Sequence, residues 1–191
     1  MEQEQTINNV TGQEDGLKEI LFIESRGLIT YSKEIIIGDG ERVFTSFIGK
    51  QPANTIVSPT AKVWEVIRCG ARYHHDGKCE NITKENAVAF FCDFYDLEIK
   101  SGDIVELWKR VRDDFTDFFS GTYEYLPGEK VTATDWIPND RIVCGNGLHL
   151  APTKELSELW NEGGRLLKCE VARKDMCIFP YNITQVRCRH R

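Results

Sequence analysis

The sequence predicts an α+β protein built on a mixed, mainly antiparallel sheet with a few covering helices. Runs rich in Ile, Val, Phe and Thr recur along most of the chain, as they do in strands. A few segments instead show the apolar period or the capping residues of helices. Turn residues such as Gly and Pro separate these segments. With 191 residues, of which 41% are hydrophobic, the chain can bury a core without a disulfide or a metal.

The chain opens with a polar, acidic stretch, residues 1–16, which we expect to be a disordered tail because it lacks apolar surface to pack. Two strands are then predicted, over residues 29–37 and 41–47. Gly38-Asp39-Gly40 lies between them and is typical of a tight turn, because glycine adopts positive φ without strain. The first folded element is therefore expected to be a β-hairpin.

Three helices are expected. The first begins at Ser58-Pro59, because Ser caps a helix and Pro suits the first helical position. The second covers residues 84–95, where apolar side chains recur at the period of a core-facing helix. The third covers residues 154–161, with Thr153 as its cap.

Extended patterns dominate from residue 102 onward, and no internal repeat is evident. The predicted organisation is a tail at 1–16, a hairpin and helical segment at 17–96, and an α+β domain at 97–191. The predicted strands of the last domain are 103–112, 121–125, 130–135, 147–151, 165–172, 176–179 and 184–189.

The charge balance bears on the class of partner. The net charge is -6, and no basic stripe of the kind that nucleic-acid-binding proteins carry is visible. No apolar run is long enough to span a membrane, and no secretion signal is evident. We therefore expect a cytoplasmic protein without direct nucleic-acid binding and without a membrane. The sequence leaves the oligomeric state open.

The most metal-like spacing is the run Cys69-x4-His74-His75-x3-Cys79. Two thiolates and one or two imidazoles are ligands that zinc accepts. The run lacks a close Cys-x-x-Cys pair, so the alternative is an exposed loop between two helices. We expect the seven cysteines to be reduced, and no cofactor is expected.

Cys144 and His149 are a second candidate pair, because an imidazole within hydrogen-bond reach of a thiol can take its proton. No third residue that would orient them is identifiable. The alternative is that His149 forms a hydrogen bond inside the sheet and fixes the loop.

Lys109, Arg110 and Arg112 lie on one predicted strand. Alternation places Lys109 on one face and the two arginines on the other. The arginines are suited to binding a phosphate or a carboxylate in bidentate fashion. Equally, they can pair with Asp113, Asp114 and Asp117, and the sequence alone does not separate these readings.

Five motifs follow one another in the second half of the chain. They are the run from Leu107 to Asp117, Ser120-Gly121-Thr122-Tyr123 with Pro127-Gly128, Cys144-Gly145-Asn146-Gly147-Leu148-His149-Leu150, the segment from Lys174 to Pro180, and Gln185-Val186-Arg187-Cys188-Arg189. In this order they resemble the C-terminal domain of the rIIB proteins of T-even-like phages. The resemblance implies a phage or prophage origin rather than a particular reaction.

A fainter similarity links residues 145–151 and 166–172 to the sheet core of poly(ADP-ribose) polymerases. In that register His149 takes the place of the aromatic residue that walls the nicotinamide pocket. Gln185 lies near the position of the family's carboxylate, and a glutamine cannot carry its charge. The similarity therefore implies a weakened NAD-type site or a degenerate fold reused for binding.

The leading expectation is a phage- or prophage-encoded accessory protein of the bacterial cytoplasm that binds a host protein or nucleoprotein complex. Inhibition of an antiviral defence complex, as by an anti-CRISPR-type protein, fits the viral resemblance and the acidic balance. The alternative is an ADP-ribosyltransferase-like or nucleotide-binding enzyme. The candidate binding residues are Lys109, Arg110, Arg112, Cys144, His149 and Gln185, and no catalytic residue is assigned.

Overall fold

The computed structural model describes residues 8–9, 20–26, 35–48, 55–67, 70–138, 146–159 and 163–191. It divides into two compact units, Met1–Thr83 and Lys84–Arg191. Most of the predicted tail lies outside the described residues. Within it, Asn8–Asn9 is a short strand that pairs with the next strand.

The first unit consists of strands. Three of them, β2, β4 and β6, lie side by side in parallel, while β3 and β5 form a second parallel pair. The strands of this unit are β1 (Asn8–Asn9), β2 (Ile20–Arg26), β3 (Ile35–Ile37), β4 (Arg42–Ile48), β5 (Thr55–Val57), β6 (Lys62–Ile67), β7 (Gly70–His75) and β8 (Lys78–Asn81).

The strand pairs β3–β5 and β4–β6 repeat at an offset of 20 residues, whereas β2 and β4 are offset by 22. Ile35 pairs with Thr55 and Arg42 pairs with Lys62, in each case a residue twenty positions further along. We call each repeat of 20 residues a coil. Coils whose equivalent strands pair side by side in parallel have the geometry of a parallel β-solenoid. The expectation that the chain contains no repeat is therefore wrong.

The predicted hairpin between residues 29–37 and 41–47 is also wrong. Strands β3 and β4 belong to different sheets, so the turn at Gly38 to Gly40 is a corner of the coil. The backbone N–H of Ser58 donates to Ile37 O at 2.9 Å, and that of Lys62 donates to Glu41 O at 2.9 Å. These bonds stack the corner of the next coil on the first.

The helix predicted from Ser58 is a strand. Ser58-Pro59-Thr60 forms the second corner, and the apolar stripe assigned to the helix lies on β6. Val63 packs inside the coil against Ile37 and Val43. Trp64, next along the strand, is also fully buried. A strand buried on both faces reads as a continuous apolar run, which periodicity does not distinguish from a short helix.

An antiparallel hairpin, β7–β8, follows the parallel coils. Its turn residue Gly77 donates its backbone N–H to Pro59 O at 3.0 Å, so the hairpin turn rests on the corner of the last coil. All four residues of β8 are exposed at the sheet edge, and Lys78 and Glu80 are among them. Charged side chains on an edge strand disfavour pairing with another chain.

The second unit mixes strands with two short α-helices. Both helices were predicted, and the cap of the second is confirmed, because Thr153 Oγ1 accepts the N–H of Leu156 at 3.2 Å. The elements are α1 (Ala87–Phe94), β9 (Ile104–Val111), β10 (Leu148–Leu150), α2 (Lys154–Glu158), β11 (Arg165–Ala172), a 3-10 turn (Arg173–Asp175), β12 (Met176–Cys177) and β13 (Val186–Cys188).

Strand β9 pairs with β11 along its whole length, and β10, β13 and β12 form a separate three-stranded sheet. The strands predicted at 121–125 and 130–135 are absent, and those stretches carry isolated bridges instead. Helix α1 is fixed by Tyr95, whose buried hydroxyl donates to Ile183 O at 2.8 Å.

Over the residues described, the protein is therefore mostly sheet with few helices, and antiparallel pairings outnumber parallel ones. Neither of the helices in the described ranges is long and apolar enough to cross a membrane.

Candidate functional site

The basic residues of β9 are held by contacts within the protein. Lys109 lies on the face that also carries the fully buried Leu107 and Val111, with its amine 5.3 Å from the centroid of the Tyr125 ring. Burial lowers the pKa of the Lys109 amine, although the charge of Asp117 opposes that shift. Lys109 therefore points towards the core.

Arg110 lies on the opposite face, as alternation predicts. Its guanidinium donates to Glu158 Oε1 at 2.6 Å and to Gly163 O at 2.9 Å. The sequence left open whether the arginines bind a ligand or pair with the neighbouring aspartates, and Arg110 instead forms an ion pair with Glu158 of helix α2. Arg112, just after the strand, donates to Phe118 O at 3.0 Å. Both arginines hold the segments around them in place.

His149 and Gln185 come together in the three-stranded sheet, with His149 Nδ1 3.2 Å from Gln185 Oε1. Cys144 lies outside the described residues, so the predicted Cys144–His149 pair remains a prediction. The contact with Gln185 fits the alternative reading, in which His149 forms a hydrogen bond within the sheet.

Three of the four candidate metal ligands, His74, His75 and Cys79, lie on the β7–β8 hairpin, where the sequence suggested a connection between helices. Nε2 of His74 is 3.6 Å from Cys79 Sγ and 3.4 Å from Glu65 Oε2. His75, the next residue, instead stacks on Tyr73. Among the residues with assigned positions, no three His, Cys, Asp or Glu side chains converge as metal ligands. Cys69 lies outside those residues.

A further polar site is the loop at residues 112–123 after β9, whose residues the sequence suggested only as carriers of the resemblance or as partners of the arginines. Its centre is Asp117, whose carboxylate is 5% exposed and accepts five hydrogen bonds. Oδ1 accepts the backbone N–H groups of Phe119 at 3.0 Å and Ser120 at 2.7 Å. Oδ2 accepts from the Ser120 hydroxyl at 2.7 Å, Thr122 N at 3.1 Å and Tyr123 N at 3.0 Å.

These bonds keep Asp117 ionised. Burial acts to raise the pKa of its carboxyl, but hydrogen bonds from Ser120 and Tyr123 and the charge of Lys109 outweigh it and lower the pKa to about 2. One carboxylate thereby closes the turn and satisfies donors that the irregular backbone would otherwise leave unpaired.

Three phenylalanines in this loop have different surroundings. The Arg165 guanidinium lies 4.6 Å from the centroid of the Phe115 ring, and a Cβ on Gly164 would collide with the Phe118 ring. These two rings pack back against the start of β11. Phe119 instead is fully exposed, at 101% of its reference area. The loop therefore presents a single aromatic ring to solvent.

The sequence on either side of Phe119 is acidic. Residues 112–124 contain four acidic side chains and one basic side chain. Asp113 and Asp114 are exposed. Hydrogen bonds from the side chain and backbone of Thr116 lower the pKa of Asp114, so its charge is retained. The loop therefore carries one fully exposed aromatic ring, Phe119, and two exposed carboxylates, Asp113 and Asp114, which we call its acidic rim.

One signal for this loop was present in the sequence. An Asp three residues before Ser-Gly-Thr is a local signal for a turn, because a carboxylate can cap nearby backbone N–H groups. The aspartates of this loop could equally be ion-pair partners for Arg110 and Arg112, and that interpretation did not indicate a turn. The exposure of Phe119, next to the half-buried Phe118, has no counterpart in the sequence pattern.

Comparison with known proteins supports the phage relationship. The chain is 26% identical over 110 residues to protein rIIB of Enterobacteria phage T4, a match that covers 55% of this chain and 35% of the phage protein. The chain thus spans about a third of the length of that relative. The resemblance to rIIB proteins is confirmed, and it indicates a phage-associated protein.

No protein-family model matches the chain, and no solved structure matches it. The similarity to the ADP-ribosyltransferase sheet core therefore receives no support from these comparisons.

Proposed function

We propose that this phage-associated protein is an accessory protein that acts by binding a host protein, with Phe119 as the anchor of the interface. The observation that carries the proposal is the fully exposed Phe119 ring on a loop fixed by five hydrogen bonds to Asp117. Aromatic anchors that enter a pocket dominate the energy of many protein interfaces. A loop that is ordered before binding avoids the entropic cost of ordering it on contact.

The chemistry of the loop restricts the kind of partner. An apolar ring needs an apolar pocket, and the carboxylates of Asp113 and Asp114 need a cationic rim around it. Basic clefts that hold nucleic acid in host complexes have such rims, and carboxylates can stand where phosphates would lie. We therefore propose a host nucleoprotein complex as the target, contacted through its protein, and inhibition of antiviral defence as the consequence.

The first test is affinity purification of the tagged full chain from a bacterial host, at low and at high salt. The proposal predicts one stoichiometric host protein with basic surface character, retained at low salt and depleted at high salt. Mass spectrometry identifies it. Recovery of the chain without any stoichiometric host protein would contradict the proposed function.

The acidic rim is tested separately with Asp113→Asn and Asp114→Asn combined. Loss of two exposed charges is expected to slow association and to flatten its salt dependence, with little effect on dissociation. Glu129→Gln removes one exposed charge from another turn and is the control for a change in net charge. An unchanged salt dependence in the double variant would mean that the rim does not face the partner.

A further inference from the structure

The three-stranded sheet β10–β13–β12 has one polar face. In its register His149 is opposite Arg187, and Arg187 is opposite Cys177. Because alternate residues share a face, these three side chains lie on one side of the sheet. The other side is apolar and carries the buried residues Leu148, Leu150, Met176, Val186 and Cys188.

Arg187 is the unusual member of this face, because it is charged and only 2% exposed. Its Nη1 donates to Ile137 O at 3.4 Å and to Asn146 O at 3.3 Å, and its Nη2 to Cys177 Sγ at 3.5 Å. Its Nε is buried with no hydrogen-bond partner. Within the described part of the chain, no carboxylate forms an ion pair with this guanidinium.

Gln185 adds a second unpaired group. Its Oε1 lies 3.2 Å from His149 Nδ1, while its Nε2 is buried without a partner. In this orientation of the amide, Oε1 meets the imidazole nitrogen and Nε2 is left without an acceptor. His149 lies opposite Arg187 in the sheet register, so Gln185 and Arg187 both neighbour this residue.

A buried guanidinium without a counter-charge is unfavourable, and a buried donor without an acceptor adds to the cost. A water molecule would satisfy the donor but would leave the charge uncompensated. An oxyanion does both, since it accepts hydrogen bonds and neutralises the cation. We propose that this face binds a carboxylate or phosphate group through Arg187 Nε and Gln185. The proposal does not depend on the protein-binding role of Phe119.

The test uses the full chain, with sodium phosphate and sodium acetate as probes and sodium chloride at equal ionic strength as the reference. The melting temperature is expected to rise by about 5 °C along a saturating curve with one of the two oxyanions. The stronger probe shows whether the site favours phosphate or carboxylate. Equal responses to both oxyanions and to chloride would overturn the proposal.

Substitutions at residue 185 separate binding from folding. Gln185→Glu supplies a carboxylate beside Arg187, so it is expected to raise the melting temperature without added oxyanion and to abolish the response to the probe. Gln185→Met removes the hydrogen bond without adding charge and is expected to weaken binding about tenfold. Lys130→Gln, which removes an exposed positive charge from another loop, is the control.

A site-specific signal completes the test. The Nε–H of Arg187 is expected to appear in nitrogen-correlated NMR spectra as a protected resonance that moves when the stronger probe is added. A resonance that moves in wild type but not in Gln185→Glu supports the site. A resonance that stays in place while the melting temperature rises, or a Gln185→Glu variant less stable than wild type, overturns it.

Discussion

The carboxylate of Asp117 accepts the backbone N–H of Phe119 at 3.0 Å, and the ring of Phe119 is fully exposed. The buried Asp117 thus fixes the backbone of the exposed Phe119, which lies two residues further along the chain. A phenyl ring held in water by an ordered backbone gains nothing for the isolated fold. The relationship is what a binding anchor requires, because the position of the ring is set before a partner arrives.

Removing the charge of Asp117 is expected to loosen the loop. Asp117→Asn keeps the size of the side chain but turns one acceptor oxygen into a donor, so either the two donors to Oδ1 or the three donors to Oδ2 lose their acceptor. We expect the free energy of unfolding to fall by about 2–4 kcal/mol, measured by urea denaturation of the second unit. Asp113→Asn, an exposed neighbour, is the matched control and should change stability by less than about 0.5 kcal/mol.

The same carboxylate predicts a dependence of stability on pH. Because the pKa of folded Asp117 is lowered to about 2, below its ordinary value, its contribution is complete above about pH 4 and is lost as the pH falls towards 2. We expect wild type to lose about 2 kcal/mol more than Asp117→Asn over that interval. Parallel curves for the two proteins would show that Asp117 titrates normally.

Lys109 predicts a second rise in stability with pH, in the alkaline range, because its charge opposes folding rather than supporting it. Burial lowers the pKa of its amine, so protonation favours the unfolded chain, and this penalty disappears as the pH rises past the unfolded pKa. Lys109→Met removes the charge and keeps the length of the side chain. It is expected to be as stable as wild type or more stable at pH 7. The difference between the two proteins should shrink towards pH 10. A variant that is clearly less stable at pH 7 would show that the amine stabilises the core.

The parallel coils predict which apolar residues matter in the first unit. Val63 is 2% exposed inside the coil, whereas Ile56, on the adjoining strand β5, is 50% exposed. Val63→Ala should lower the free energy of unfolding by about 1–3 kcal/mol and speed hydrogen exchange of the amides in 42–48 and 62–67. Ile56→Ala is the control and should leave that exchange nearly unchanged. If the amides in 42–48 and 62–67 exchange as slowly in Val63→Ala as in wild type, the coil arrangement is contradicted.

The elements that the sequence predicted correctly are those with local signals. Helix α1 has its apolar residues at the helical period, and α2 has Thr153 as a capping residue. Strands β9 and β11 have runs of alternating burial. Each of these signals lies within about ten residues, which is the range over which periodicity and capping operate.

The missed elements depend on contacts between distant residues. The corner at Ser58-Pro59-Thr60 has the residues of a helix start, and only its stacking on Asp39 shows that it is a turn. The repeat of twenty residues is visible mainly in buried positions such as Val43 and Val63, while the surface positions differ. The cluster around Asp117 is different, because its five donors lie within six residues of the carboxylate. It was missed because the same aspartate could equally pair with the arginines.

The central claim is that Phe119 anchors a host protein, and it is tested most directly by comparing two variants of the tagged full chain. The measurement is the amount of co-purified host partner per chain for Phe119→Ala and Tyr181→Ala, where Tyr181 is an exposed aromatic residue of the same unit. We predict that Phe119→Ala weakens binding by about thirtyfold and loses the partner, while Tyr181→Ala retains it. Equal retention by both variants, with unchanged melting temperatures, would contradict the claim.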